Sequence, residues 1–221
     1  MEHIVPKKEW TVAIRYNHWL MAAAIFILIA SGFYIAYPVS LSFSDKVTEM
    51  NDIIFWHILA GICLVFLFIW RIYLMFFSRL HADWKDFFAW MNVKNSLKQV
   101  KFYLLISKEP PDHTHLYGPL QSVAYGGLLV MVALIVLTGL ILTGAAGYKS
   151  GLTGIMYTMV RPAERLMGGL AGVRLIHHFL TWGFILFIVV HTYMAFWYDV
   201  IFKEGTVSSM ISGVVFRKAH K

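Results

Sequence analysis

Four stretches of the chain run without Asp, Glu, Lys or Arg: Tyr16–Ser44, Ile53–Trp70, the region between Leu116 and Tyr148, and Leu175–Tyr198. Crossing about 30 Å of hydrocarbon takes about 20 helical residues, so each is long enough or nearly so. Each is too long and too continuous for a strand. Inside lipid the backbone must satisfy its own hydrogen bonds, which leaves the helix as the form available. The pattern predicts an all-α integral membrane fold, with one domain over 1–221 built as a bundle of four helices at roughly 14–37, 53–77, 118–143 and 174–198.

Two polar stretches carry patterns of their own. Ala82–Ser107 mixes aromatics and lysines at near-helical spacing and is expected to lie along the membrane surface as an amphipathic helix. Gly151–Gly172 surrounds Arg161-Pro162 and is expected to lie flat or to form a lid. The N-terminal segment MEHIVPKKEW is too polar for the core of a signal peptide. The apolar run after it is too long and has no small-residue cleavage site, so the sequence predicts a retained first span.

Composition agrees. Of 221 residues, 59% are hydrophobic and 14% are charged, against about 25% charged in ordinary soluble domains. Mean hydropathy is +0.65. The single cysteine, Cys63, lies in an apolar run. One cysteine excludes an internal disulfide, a cysteine-held iron–sulfur cluster and a C-x-x-C-H haem attachment.

Charge sets the topology. The N-terminus, second loop and C-terminus hold fourteen Lys and Arg, while the first and third loops hold five: Lys46, Lys149, Arg161, Arg165 and Arg174. The positive-inside rule then predicts both termini in the cytoplasm of a bacterium, with the chain multi-pass in its cytoplasmic (inner) membrane. The pI of about 9.5 follows from loop charges facing lipid headgroups, and nucleic-acid binding is not needed to explain it.

Ten histidines occur, and four of them fall inside or at the start of spans: His18, His57, His177 and His191. Ionisable residues in a bilayer are costly and are functional candidates by default. The alternative for any single one is a hydrogen bond to a neighbouring helix. His177 and His191 are fourteen residues apart, which is nearly four turns, so they share one helix face about 21 Å apart along the axis. His178 and His191 differ by about 220° in direction, so His178 faces elsewhere. Following the helices across the membrane, His57 and His177 reach the outer level, and His18 and His191 the inner level. The inner depths agree if the first helix begins near Trp10, with Arg15 reaching water or a haem propionate. His3, His81, His113 and His220 fall in loops or tails and read as surface histidines.

Each pair can supply two axial nitrogens to one iron. Bis-histidine ligation of haem leaves no open position and suits electron transfer over oxygen chemistry. Two b haems stacked across the membrane are therefore expected, at His57/His177 and His18/His191. Gly32 and Gly61 would let a flat porphyrin approach the backbone, as would Gly126 and Gly139 on the third helix, or all four serve helix–helix contact. Arg71 and Arg174 suit haem propionates, or are helix-end residues reaching water.

The segments Arg15-Tyr-Asn-His18-Trp19, Trp56-His57-x-x-x-Gly61, Arg71-Ile-Tyr and His191-Thr-Tyr-Met-Ala resemble the b-type cytochrome subunit of membrane-bound uptake [NiFe]-hydrogenases. The likeness covers nearly the whole chain. The histidine pattern alone is shared with the wider cytochrome b561-like group, including the gamma subunit of formate dehydrogenase. The tail Tyr198-Asp199-Val-Ile201 and Thr206-Val-Ser-Ser-Met210-Ile-Ser-Gly213 is what is similar to hydrogenase subunits in particular. The resemblance implies a respiratory-chain role. Electrons from the small (iron–sulfur) and large (nickel–iron) subunits would pass by the outer and inner haems to menaquinone or ubiquinone on the cytoplasmic side. Hydrogen chemistry would stay in those partners, leaving this chain without catalytic residues.

Relatives of that family commonly carry His-Asn-Pro before the third helix, whereas this chain reads His115-Leu-Tyr117-Gly118-Pro119-Leu-Gln121. Polar candidates for the quinone are His115, Tyr117, Gln121 and Lys203, which otherwise read as solvated interfacial residues. Two other functions fit the pattern less closely. One is the cytochrome subunit of another periplasmic enzyme, such as formate dehydrogenase or thiosulfate reductase. The other is a haem-free membrane scaffold or transporter.

Overall fold

A computed structural model describes residues 4–38, 46–77, 91–103, 106 and 119–218. The elements in chain order are β1 (Ile4–Lys8), α1 (Val12–Ala36), α2 (Lys46–Phe77), α3 (Val93–Tyr103), α4 (Pro119–Ala145), α5 (Gly151–Val160), α6 (Pro162–Leu166), α7 (Gly169–Phe202), α8 (Thr206–Ser212) and β2 (Val214–Lys218). Four of the helices, α1, α2, α4 and α7, are long and apolar enough to cross a membrane. Their surfaces carry large exposed apolar side chains, among them Phe26, Phe66, Phe179 and Leu186. Such a surface is an aggregation liability in water and the natural one against lipid tails. The chain is a multi-pass α-helical membrane protein.

The helix ends differ from the hydropathy limits for local reasons. The first helix begins at Val12 because Thr11 caps it, its Oγ1 accepting the Ile14 N–H at 3.3 Å, a standard N-terminal arrangement. The second begins at Lys46, well ahead of the apolar run at Ile53, because backbone bonding continues through polar residues once a helix is propagating. The fourth begins at Gly169, where Gly168 and Gly169 hold φ of +80° and +78° and interrupt the preceding helix.

The chain divides into two compact units. The first comprises Met1–Tyr16, Trp70–Val130 and Val189–Lys221. In it, β1 and β2 pair antiparallel in the register Ile4↔Lys218 to Lys8↔Val214. The turn before β2 is tied to the segment after β1: the Gly213 carbonyl accepts from the N–H of Glu9 at 2.9 Å and of Trp10 at 3.2 Å. Trp10 Nε1 donates to Ser209 Oγ at 3.1 Å, and the Arg15 guanidinium donates to the Ile211 carbonyl. The Asp199 carboxylate accepts the Thr206 N–H at 2.6 Å and so starts α8. Ile14 and Leu74 pack with Trp10, Ala13 and Trp70. Helix α3 starts on Asn92, whose Oδ1 accepts the Asn95 N–H at 3.2 Å. Lys94, Lys98 and Lys101 recur along it at helical spacing. This is the described portion of the expected surface helix; residues 82–90, 104, 105 and 107 lie outside the described residues.

The second unit comprises Asn17–Ile69 and Met131–Ile188. Asn17, buried at 1% exposure, donates from Nδ2 to the Leu67 carbonyl at 2.9 Å and links α1 to α2. Tyr34 OH donates to Glu49 Oε1 at 2.6 Å and links the same helices again. Phe33 meets Trp182 edge-on with centroids 5.4 Å apart, joining α1 to α7. The backbone at Gly183 of α7 comes so near Met131 of α4 that a Cβ there would stand 2.9 Å from Met131 Cε. The stretch expected to lie flat or form a lid folds as the short helices α5 and α6, with Pro162 in the first turn of α6. The Tyr157 ring of α5 lies directly on Gly144 of α4.

Gly213 is a junction sensitive to substitution. Its φ is +83°, and a Cβ there would stand 2.9 Å from the Trp10 carbonyl oxygen. A left-handed non-glycine residue costs roughly 1–2 kcal/mol before any clash. Gly213→Ala is therefore expected to lower the thermal midpoint of the purified protein by several degrees, read by near-UV circular dichroism in detergent.

Candidate functional site

His57 on α2 and His177 on α7 face one another within the second unit. Their ring centroids are 6.4 Å apart and their planes are inclined at 64°. Each ring is held from behind by a hydroxyl on a neighbouring helix. His57 Nδ1 lies 2.8 Å from Ser31 Oγ of α1, and His177 Nδ1 lies 2.9 Å from Thr138 Oγ1 of α4. Ser31 is 9% exposed and Thr138 fully buried. The next residue on each helix is glycine. A Cβ at Gly32 would stand 3.3 Å from His57 Cε1, and one at Gly139 would stand 3.5 Å from His177 Cε1.

The arrangement repeats: a hydroxyl–glycine pair on one helix seats a histidine on the next, once between α1 and α2 and once between α4 and α7. Sequence reasoning missed Ser31 and Thr138. The signal was present, since Ser31-Gly32 and Thr138-Gly139 are the same polar–small step inside apolar runs. The same reasoning set Gly32 and Gly139 against a porphyrin; here their open sides meet the imidazole rings. Gly61 has only Leu28 near, at 4.0 Å from its Cβ position.

The spacing suits one metal ion between the rings. With metal–nitrogen bonds of about 2 Å and a ring centre about 1 Å behind each nitrogen, two imidazoles on opposite sides of one ion have centroids about 6 Å apart. Among the described residues no group of three or more His, Cys, Asp or Glu is placed to hold a metal. Two nitrogens alone do not complete a coordination sphere. An ion held by this pair would take its remaining ligands from elsewhere, and a planar macrocycle is a group that could supply them.

The other candidates are distributed differently. His178, next to His177, is exposed. His18 is half-buried and belongs to the second unit, while His191 is exposed on the chain's own surface and belongs to the first. Arg15 is engaged with α8 through the Ile211 carbonyl. Arg71 is buried at 7% exposure with its guanidinium carbon 5.1 Å from the Tyr125 ring centre. Its Nη1 is buried and has no hydrogen-bond partner among the described residues. Arg174 is exposed one turn before His177. Gln121 and Lys203 are exposed at the start of α4 and just past the end of α7; His115 and Tyr117 lie outside the described residues.

Fold and site together define a helical membrane protein in which two histidines from different helices face one another. The chain belongs to the prokaryotic cytochrome b561 family, which it matches over residues 9–213. Cytochromes of this family carry b-type haem. The chain is 29% identical over 212 residues to the probable Ni/Fe-hydrogenase B-type cytochrome subunit of Rhodobacter capsulatus, covering 90% of this chain and 78% of that protein. It is 28% identical over 214 residues to the protein of the same name in Azotobacter vinelandii, covering 90% and 84%. With the probable Ni/Fe-hydrogenase 1 B-type cytochrome subunit of Escherichia coli strain K12 the identity is 23% over 231 residues, covering 100% and 94%.

The two glycines differ in tolerance. The 3.3 Å approach at Gly32 is tight, so a side chain there would press on the His57 ring, whereas 3.5 Å at Gly139 is ordinary contact. Gly32→Val is expected to reduce haem bound per chain, and Gly139→Ala to leave it unchanged, both measured by pyridine haemochrome assay. Full haem retention in Gly32→Val would show that the His57 position is not constrained from this side.

Proposed function

We propose that this chain is the membrane electron-transfer subunit of a Ni/Fe-hydrogenase, binding b haem between His57 and His177 and a second b haem between His18 and His191. The facing of His57 and His177 at 6.4 Å, each ring buttressed at Nδ1, carries the reading of the first site. The fourteen-residue spacing from His177 to His191 on one helix face supports the second. Haem bound by paired histidines supplies a one-electron centre with no open coordination position.

The roles of the chain's own residues follow. His57 and His177 bind and orient, and Ser31, Thr138, Gly32 and Gly139 keep their rings in place. Arg71 is suited to a propionate carboxylate, because its buried Nη1 has no hydrogen-bond partner among the described residues and a desolvated guanidinium gains strongly from a carboxylate partner. Arg174 and Arg15 are further propionate candidates, with Arg15 already sharing its guanidinium with α8. The subunit receives electrons from the hydrogenase's small iron–sulfur subunit on the outer face of the bacterial cytoplasmic membrane. It delivers them to menaquinone or ubiquinone at the cytoplasmic face, where both termini lie. Gln121 and Lys203, with His115 and Tyr117, are the polar candidates for quinone contact. The hydrogenase association rests on the names of the relatives given above, and the topology on loop charge.

Two measurements test this reading. His57→Ala and His177→Ala are each expected to lose one haem per chain and to stop hydrogen-dependent quinone reduction, while hydrogen oxidation by an artificial dye persists in the complex. His178→Ala is expected to keep both haems; loss of one there would overturn the choice of ligand. Purification of the chain from its native membrane is expected to bring down a nickel–iron subunit, and recovery of a molybdenum enzyme instead would overturn the hydrogenase assignment.

A further inference from the structure

A serine or threonine hydroxyl has one proton, and in Ser31 and Thr138 that proton is already committed. Ser31 Oγ lies 2.6 Å from the Ile27 carbonyl oxygen, four residues back on the same helix. Thr138 Oγ1 lies 2.8 Å from the Leu134 carbonyl oxygen in the same relation. A carbonyl oxygen brings no proton, so an oxygen–oxygen contact this short requires the hydroxyl to donate. The hydroxyl then turns lone pairs toward the histidine. A second lone pair at Nδ1, held 2.8 Å away at His57 and 2.9 Å at His177, would repel it. Both Nδ1 atoms must therefore carry hydrogen and donate. A neutral imidazole protonated at Nδ1 has its lone pair on Nε2.

From this we infer that Ser31 and Thr138 are positioning residues that select the Nδ1–H tautomer of His57 and His177, present Nε2 as the ligating nitrogen, and raise the midpoint potential of the haem held there relative to one with carboxylate-backed ligands. The inference rests on the proposed His57/His177 ligation. Its electronic part follows from the acceptor's chemistry. The group behind a ligating imidazole sets how basic that ligand is. A carboxylate acceptor pulls hard on the Nδ1 proton and enriches the ligand, which favours the ferric state; a neutral hydroxyl that is itself donating elsewhere pulls less. The burial of both hydroxyls, Thr138 completely, leaves bulk water little access to replace either acceptor. Since both helices supply the same group, both axial ligands are tuned the same way and are oriented before any cofactor arrives.

The test uses the purified full-length chain in its complex. Thr138→Val keeps the side-chain shape and removes the acceptor. It is expected to raise the midpoint potential of one haem, to move the low-field electron paramagnetic resonance line that reports the angle between axial imidazole planes, and to weaken haem retention roughly 10–100-fold, the usual effect of losing a partner behind a metal-bound histidine. Thr138→Ser restores the hydroxyl and is expected to return all three readings to those of the native protein. Ser31→Ala, which adds no bulk, is expected to raise the potential of the same haem, and stands as an independent reading if Thr138→Val does not assemble. Native potential and resonance line in both Ser31→Ala and Thr138→Val, with His177→Ala still losing the haem, would overturn the inference alone. Retention of both haems in His57→Ala and His177→Ala would overturn the ligation and the inference together.

Discussion

A polar group in hydrocarbon has no water to turn to, and an unsatisfied one costs several kcal/mol. This constraint shapes the molecule at every level. It makes the four apolar runs helices, because only the helix closes every backbone bond within its own segment. It also decides which side chains the helices can carry inward. Asn17 meets the constraint in part: its amide donates to the Leu67 carbonyl, while its buried Oδ1 has no hydrogen-bond partner among the described residues. Ser31 and Thr138 are admitted because each returns its proton to the preceding turn and offers its lone pairs to a histidine.

The same requirement links packing to function. Two imidazoles left alone in lipid would turn to the nearest acceptor, and the tautomer and direction of each ring would follow from that choice. Hydroxyls behind His57 and His177 make the choice in advance, and Gly32 and Gly139 bring the helix backbones close enough for the hydroxyls to reach. For the proposed haem, ligands held in this way would need little reorganisation on a change of oxidation state. Arg71 shows the converse. It is buried, and its Nη1 has no hydrogen-bond partner among the described residues, a state that favours a carboxylate partner.

The terminal segments of the first unit are held by backbone and side-chain hydrogen bonds. Its strand pair, the left-handed glycine at Gly213 and the short helix α8 are joined by backbone bonds and by Arg15, Trp10 and Asp199. The C-terminal segment that resembles hydrogenase subunits is thereby part of a structure that grips the first turns of α1. Arg15, next to a candidate ligand and near a helix start, also donates from its guanidinium to the Ile211 carbonyl, a contact between segments distant in sequence.

The sequence by itself determined the membrane class, the number of spans and the histidine pattern, because hydropathy over twenty residues and the 3.6-residue helical period are local properties of the chain. His177 half-buried beside an exposed His178 follows from that period. Helix ends were less legible, since Thr11 and the Gly168-Gly169 break act through backbone geometry that hydropathy does not register. Only the tertiary structure decided that Ser31 and Thr138 belong to the site, for their partners stand 26 and 39 residues away. A hydroxyl in an apolar helix bonds its own backbone by default. Whether its lone pairs also meet a histidine depends on how neighbouring helices rotate and pack.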